Sequence, residues 1–205
     1  TKILLFDALK RAGHVKRVDL LVPLPGEELI LSAGADGITN LIHCRDGRVV
    51  QRYAGHSAPL TCIGSHCGDR ILVSGDDSGE LRAYDLDSGR CLWSRRGHSA
   101  RIVALVIDGG RRATFSAGTD GHIREYSLGS GACGTGLRQC PHPVTCLAVE
   151  PLGRSLISGH ADGAVLRWDL ESQGPPKPVG CHSSWVTCLE LFDGGRLLAS
   201  GSRDK

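Results

Sequence analysis

The chain has 205 residues, with 24 Lys and Arg against 22 Asp and Glu and a formal net charge of +2 at neutral pH. Hydrophobic residues make up 40% of it, which excludes disorder, and the near-neutral charge argues against a counterion-driven grip on nucleic acid or on an anionic membrane. No apolar run approaches the ~18–20 residues that a membrane-spanning helix needs. Glycine is enriched, since 28 of 205 residues is about 14%, twice the usual ~7%, and this predicts many turns between short strands.

An internal repeat of 42 residues organises the chain. Strand serines, turn glycines and one apolar position all recur at this spacing: Ser32, Ser74, Ser116, Ser158 and Ser200; Gly37, Gly79, Gly121 and Gly163; Val18, Leu60, Ile102, Val144 and Val186. The sequence therefore predicts five repeats, approximately 13–54, 55–96, 97–138, 139–180 and an incomplete 181–205 that supplies two strands.

The predicted elements are short strands with a period of two residues, bounded by turn signals. In chain order they include residues 2–7, 91–94, 102–106, 112–116 and 122–126. Residues 1–12 are predicted to supply a strand of a neighbouring or closing sheet. The segment 172–178 contains three prolines, which forbid a central strand but suit an edge or a polyproline turn. It is predicted to replace the outer strand of the fourth repeat with an outer loop. No stretch has helical periodicity, and the predicted fold is all-β.

Three motifs occur in order, of which Trp-Asp is present in the fourth repeat alone. Gly-His pairs stand at 55–56 and 97–98, Ser-Gly-x-x-Asp-Gly patterns follow, and Trp168-Asp169 ends a third strand. They resemble the WD40 repeat, whose period is ~40–45 residues with four strands. The resemblance implies a single β-propeller domain over residues 1–205, built from four-stranded antiparallel blades. Rings of the family usually have about seven blades, so we expect the chain to be part of a larger ring rather than a complete five-bladed one.

The resemblance also implies a hydrogen-bonded network in each blade, which joins a histidine, a strand serine, a turn aspartate and an aromatic residue. The matching residues are His14, Ser32, Asp36, His56, Ser74, Tyr84, His98, Ser116, Asp120, Tyr126, Ser158, Asp162, Trp168, His182, Ser200 and Asp204. The second repeat has Ser78 in place of the turn aspartate, with Asp77 displaced by one residue. The fourth has Cys140 in place of the histidine, with His142 two residues late. We expect these two repeats to be held less tightly.

The set His98, Ser116 and Asp120 has the residue types of a hydrolase triad. An active site occurs once in a domain, whereas this set recurs in several repeats, so we predict that it is structural and that the chain is not an enzyme. The glycine-rich turns lack the G-x4-G-K-[ST] spacing of a phosphate cradle, and the cysteines and histidines lack a two-plus-two metal-ligand pattern. We therefore predict no cofactor and no metal site.

By resemblance, the function is a non-catalytic scaffold that binds other proteins or peptide motifs through one face of the propeller. The alternatives are an RNA- or chromatin-associated subunit and a propeller enzyme. Direct binding of nucleic acid is not expected, because the short basic pairs at 10–11, 95–96 and 111–112 lack interleaved aromatic residues. The predicted partner-binding face contains Trp185, Arg101, Arg17 and Arg203, with Asp77 at its edge; the alternative for Trp185 is packing against a neighbouring blade.

Nine cysteines, an odd number, with several inside apolar runs, predict a reducing compartment, the cytoplasm and/or the nucleus.

Overall fold

The structure is a computed structural model, and it describes residues 13–134, 138–140, 142–151, 153–172 and 174–204. The strand predicted at residues 2–7, and with it the role given to residues 1–12, lies outside the described residues. No helix in the described part of the chain has the length and apolar character that crossing a membrane requires.

Each of the first four repeats forms one four-stranded antiparallel sheet, and the fifth forms a two-stranded sheet. The first sheet contains β1 (Val18–Pro23), β2 (Leu29–Gly34), β3 (Thr39–His43) and β4 (Val49–Tyr53). The second contains β5 (Leu60–His66), β6 (Ile71–Asp76), β7 (Glu80–Asp85) and β8 (Cys91–Arg96). The third contains β9 (Ile102–Asp108), β10 (Ala113–Gly118), β11 (His122–Ser127) and β12 (Arg138–Gln139). The fourth contains β13 (Val144–Val149), β14 (Ser155–His160), β15 (Ala164–Asp169) and β16 (Lys177–Cys181), and the last contains β17 (Val186–Phe192) and β18 (Leu197–Ser202).

These sheets confirm the all-β prediction and the four-stranded antiparallel repeat. Within the described residues the one helical element is a short 3₁₀ turn at Asp193–Gly195. The prediction that prolines replace the fourth outer strand is wrong, because β16 forms there. Pro178 lies within β16, opposite Leu166 of β15. The strand is at the sheet edge, where a residue without a backbone N–H is tolerated.

The chain divides into two compact units, one ending at Gly97 and the other beginning at His98. In the first unit, Leu31, Tyr53 and Leu72 belong to a core shared by the first and second sheets. In the second unit, Phe115, Leu147 and Trp168 belong to a core shared by the third and fourth sheets. Each unit therefore buries the apolar faces of neighbouring repeats against each other, which a single sheet cannot do for itself.

The second strand of each complete repeat is the most deeply buried. All six residues of β6, β10 and β14 are buried, whereas β18 of the fifth repeat is largely exposed. A tight turn follows each second strand. The glycine that ends it has a positive φ, for example 77° at Gly121 and 94° at Gly163, a conformation that glycine adopts without steric cost.

Candidate functional site

In the third repeat, a buried polar network joins the loop before β9 to β10 and to the turn after it. The His98 Nδ1–H donates to Asp120 Oδ1 at 2.9 Å, and Ser116 Oγ donates to His98 Nε2 at 2.8 Å. The bond to Asp120 requires this tautomer, because a carboxylate can only accept; Arg124 Nη1, which is also a donor, lies 2.6 Å from the same Nδ1. Arg124 of β11, which the sequence reading did not include, donates to Asp120 Oδ2 at 2.8 Å.

Burial and hydrogen bonding determine the charges of this network. Burial lowers the pKa of His98, and its bond to Asp120 only partly opposes this effect, so the ring is neutral. Burial alone would raise the pKa of the Asp120 carboxyl, but the bonds from His98 and Arg124 outweigh it and lower that pKa to about 2. The network therefore holds one carboxylate, one guanidinium and a neutral imidazole.

The first and fifth repeats contain the same two imidazole contacts, to the serine and to the carboxylate. The imidazole–serine and imidazole–carboxylate distances are 2.9 and 3.0 Å for His14, Ser32 and Asp36, and 2.8 and 3.1 Å for His182, Ser200 and Asp204. The strand serines of the first four repeats have no exposed surface: Ser32, Ser74, Ser116 and Ser158. Their hydroxyls are thus enclosed by the fold at the places where a hydrolase would need an accessible nucleophile.

In the second repeat, the carboxylate comes from a residue that the sequence reading missed. The His56 Nδ1–H donates to Asp76 Oδ2 at 2.8 Å, and Ser74 Oγ donates to His56 Nε2 at 2.8 Å. Ser78 donates its backbone N–H and its hydroxyl to the other Asp76 oxygen, at 2.9 and 2.8 Å. The expectation that this repeat lacks its carboxylate is therefore wrong, which removes the reason for expecting it to be held less tightly.

In the fourth repeat, His160 occupies the role that Cys140 cannot fill. Ser158 Oγ lies 2.7 Å from His160 Nε2, and the His160 Nδ1–H donates to the His142 carbonyl at 3.0 Å. The Trp168 indole N–H donates to Ser158 Oγ at 2.8 Å, as the resemblance implies. The expectation that this repeat lacks its histidine is also wrong, because an imidazole reaches the serine from another backbone position.

Of the remaining predicted network residues, Asp162 lies at the surface, while Tyr84 and Tyr126 are buried. Asp162 pairs with His142 at 3.1 Å on the surface, away from the buried serine. The Tyr84 hydroxyl donates to the Ala54 carbonyl at 3.1 Å, and Tyr126 is 2% exposed. Burial raises the pKa of both tyrosines to about 12.

One group of side chains has the composition of a metal site. His56, Asp76 and Glu80 offer three potential ligand atoms within 4.8 Å of one another. Both ring nitrogens of His56 are already hydrogen-bonded, and one Glu80 oxygen accepts from Arg82 at 2.9 Å and from Ser94 at 2.6 Å. The Arg82 guanidinium beside the Glu80 carboxylate repels a metal cation. These side chains therefore have hydrogen-bond partners within the protein without a metal. The absence of a metal site stays a prediction.

The candidate binding residues occupy two positions that each repeat brings together. We call the residue before the first-strand apolar position the lead-in residue, and the residue before the turn-aspartate position the turn residue. In all five repeats the turn residue donates its backbone N–H to the lead-in carbonyl, at 2.8–3.0 Å: Ala35 to Arg17, Asp77 to Pro59, Thr119 to Arg101, Ala161 to Pro143, and Arg203 to Trp185. Each repeat therefore presents the two side chains next to each other.

Trp185 and Arg203 form the most distinctive of these pairs. The Trp185 side chain is 49% exposed, while Val186 beside it is fully buried, as strand alternation requires. The Arg203 guanidinium carbon lies 4.8 Å from the centre of the indole ring, within cation–π range. The structure thus brings together two of the predicted binding residues.

The other three predicted residues are exposed at their own lead-in or turn positions. Arg101 lies in the same compact unit as Trp185, whereas Arg17 and Asp77 lie in the first unit. The Arg17 Nε lies 2.6 Å from Asp19 Oδ1.

Comparison with known proteins agrees with this geometry. A family model described as "WD domain, G-beta repeat" matches residues 47–85, 134–169 and 175–205, together about half of the chain. Among solved structures, the crystal structure of the computationally designed Ika8 protein is similar, with 25% identity and a TM-score of 0.79. The alignment covers 94% of this chain and 57% of the designed one, so this chain spans little more than half of that protein's length. No curated protein matches the chain. The matched repeats and their four-stranded sheets show that the chain belongs to the WD40-repeat family.

Proposed function

We propose that this chain is a non-catalytic platform that binds proteins or peptide motifs, and assembles them into a complex, through its lead-in and turn residues. WD40 repeats generally mediate protein–protein interaction, and the family is typically non-enzymatic. The observation that carries the proposal is the exposed Trp185 with Arg203 stacked on its ring.

Tryptophan and arginine are the residue types most enriched among binding hot spots. The half-exposed indole offers a large apolar area for a partner to cover. The stacked guanidinium already has a defined conformation, so less side-chain entropy is lost on binding. Arg101 adds a second cation at an equivalent position of the same compact unit. In the first unit, Arg17 holds a lead-in position and Asp77 a turn position, and the proposal includes both as contact residues.

Matched surface variants test this assignment. Trp185→Ala combined with Arg101→Ala is compared with Phe192→Ala combined with Arg154→Ala. Phe192 is 51% exposed at the far end of β17, and Arg154 is exposed in the turn before β14. Quantitative affinity capture with mass spectrometry should show at least a tenfold loss of captured proteins for the first pair and little change for the second, with unchanged melting curves.

Two results would count against the proposal. If capture survives the first pair of changes and is lost with the second, the binding surface lies elsewhere. If nuclease treatment removes the captured proteins, the RNA- or chromatin-associated function is favoured instead.

We further propose that the protein works in the cytoplasm and/or the nucleus. None of its nine cysteines, all within the described residues, forms a disulfide. Five of them are buried or partly buried among neighbouring side chains, where a thiol acts as a small hydrophobe: Cys44, Cys62, Cys67, Cys140 and Cys146. Fractionation of cells expressing the tagged chain tests this location.

A further inference from the structure

The outer strand of the fourth repeat begins later than the repeat spacing requires. Its counterparts β4 and β8 begin at Val49 and Cys91, 42 residues apart, so the spacing places the start of β16 at residue 175. β16 begins instead at Lys177, and the two residues left outside it are Pro175 and Pro176. Proline has no backbone N–H to give to a strand ladder, which explains the late start.

The segment 175–178, Pro-Pro-Lys-Pro, is held extended by its own sequence. Proline fixes φ at about −65°, and a residue that precedes proline is driven towards β or polyproline II backbone. Pro175 and Lys177 each precede a proline, and Lys177 and Pro178 belong to β16. The segment therefore has the backbone that polyproline-reading domains select, and little entropy is lost when it binds.

The same segment is accessible to a partner. Pro175, Lys177 and Pro178 are exposed, and Pro176 is half-buried. A cavity of about 420 Å³ beside it is lined by Pro175, Pro176 and Lys177 together with Arg167 and other polar residues of the fourth repeat. In the described fourth sheet no strand pairs with the outer edge of β16. A partner can therefore approach the prolines from outside, and the cavity leaves space around them.

Positive charge accompanies the prolines. Lys177 lies directly opposite Arg167 in the ladder, and like charges in such a pair are destabilising. Arg154 is exposed and lines the same cavity, against the two carboxylates of Asp169 and Glu171. Asp169 Oδ1 already accepts two backbone N–H groups of its own turn, at 2.8 and 3.0 Å. Carboxylates supplied by a partner would therefore relieve the repulsion between Lys177 and Arg167.

From these observations we infer a second binding surface, in which the segment 175–178 binds a polyproline-reading domain whose groove is lined by aromatic side chains and flanked by carboxylates. The aromatic rings hold Pro175 and Pro178, which are one turn of a polyproline helix apart. The carboxylates pair with Lys177 and Arg167.

This surface is separate from the lead-in and turn positions. The segment follows β15, and antiparallel strands alternate in direction, so it lies at the opposite end of the fourth sheet from Pro143 and Ala161. The inference therefore does not depend on the function proposed above, and it allows the chain to hold two partners at once.

The test measures binding of the full 205-residue chain to purified SH3, WW and EVH1 domains by biolayer interferometry, with acidic-rimmed and basic-rimmed members of each type. At least one acidic-rimmed domain should bind saturably, with one domain per chain. Pro175→Ala combined with Pro178→Ala should weaken this binding about tenfold. The control changes two exposed turn prolines, Pro25→Ala with Pro151→Ala, and should leave it unchanged.

Melting curves establish that the variants remain folded. Failure of every domain to bind, or equal binding of the Pro175→Ala, Pro178→Ala variant and the unchanged chain, would overturn the inference. Lys177→Glu should weaken binding severalfold; if it abolishes binding while the proline variant binds normally, the surface is only a basic patch and the inference is wrong. Binding should persist in the Trp185→Ala, Arg101→Ala variant, and its loss there would show that the two surfaces are not separate.

Discussion

The third and fourth repeats build the same buried bond to a strand serine from different backbone positions. In the third repeat, His98 approaches Ser116 from the loop before β9. In the fourth, His160 approaches Ser158 from two residues farther along β14 itself. The residue at that position in the third repeat is Gly118, and an added Cβ there would lie 2.4 Å from His98 Nδ1. The two histidine positions therefore compete for one space, and a repeat uses one or the other.

In the second repeat, the carboxylate likewise comes from a different backbone position. Asp76 also stands two residues after its serine, Ser74, and it receives the imidazole bond that Asp120 receives in the third repeat. What the repeats share is that the buried polar atoms of the network have hydrogen-bond partners, whichever backbone position supplies them. This matters because a buried group left without its partner costs about 1–3 kcal/mol.

The largest effect is expected when the fourth-repeat arrangement is placed in the third. Gly118→His alone should destabilise the protein by about 3 kcal/mol or more, because the new side chain overlaps His98 and disrupts its bonds. Adding His98→Cys vacates that space, so the double variant should be more stable than the sum of the single effects predicts, by about 2 kcal/mol. Urea unfolding of the four proteins measures this coupling, and strict additivity would contradict a shared space.

The fourth repeat can be tested with two histidines that differ in burial. His160→Ala should cost about 2–3 kcal/mol, because it removes the acceptor of the buried Ser158 hydroxyl and the donor to the His142 carbonyl. His142→Ala should cost less than about 0.5 kcal/mol, since that ring is half exposed and its pair with Asp162 lies at the surface. The unfolding free energies of the two variants measure this difference. Equal losses of stability would show that His160 does not hold this repeat together.

In the second repeat, the carboxylate should matter more than the residue at the aligned position. Asp76→Ala should destabilise by about 2 kcal/mol and Ser78→Ala by about 1 kcal/mol, because Ser78 provides only part of the bonding to the buried carboxylate. Asp120→Ala should likewise exceed Ser78→Ala. Thermal melting of the three variants provides the comparison. A larger loss for Ser78→Ala than for Asp76→Ala would reverse the assignment.

The smallest effect concerns pH. Burial lowers the pKa of His160 below its ordinary value of 6.5, so below that pH the unfolded chain binds a proton that the folded chain excludes. Stability should therefore fall as the pH drops below 6.5, by at most about 1.4 kcal/mol per pH unit for this one group. His160→Gln should make the pH dependence of the unfolding free energy shallower. An unchanged slope would mean that the titration of His160 does not contribute.

The strands could be predicted from the sequence because the alternation of apolar and polar residues and the turn glycines are local signals.

The network could be predicted only where each residue stood at its repeat position, as with His98, Ser116 and Asp120. Asp76 was missed because positions two and four residues after the serine bring a carboxylate to the same imidazole. His160 was missed because a histidine two residues after the serine reaches the hydroxyl that His98 reaches from 18 residues before it. The sequence did contain an indication of both residues. At the position held by Asp76 and His160, the first and third repeats have the glycines Gly34 and Gly118. β16 was missed because Pro175 and Pro176 precede the strand, and Pro178, within it, lies at the sheet edge where proline is tolerated.

The central claim is that the serine–histidine–carboxylate sets hold the sheets together and perform no chemistry. Its most direct test is reaction of the folded chain with a fluorophosphonate probe, followed by mass-spectrometric mapping of labelled serines. Ser116 has no exposed surface, so we predict that it is labelled no faster in the folded chain than Ser32, Ser74 or Ser158. Selective, stoichiometric labelling of Ser116, lost in a His98→Ala variant that remains folded, would contradict the account and identify an active site.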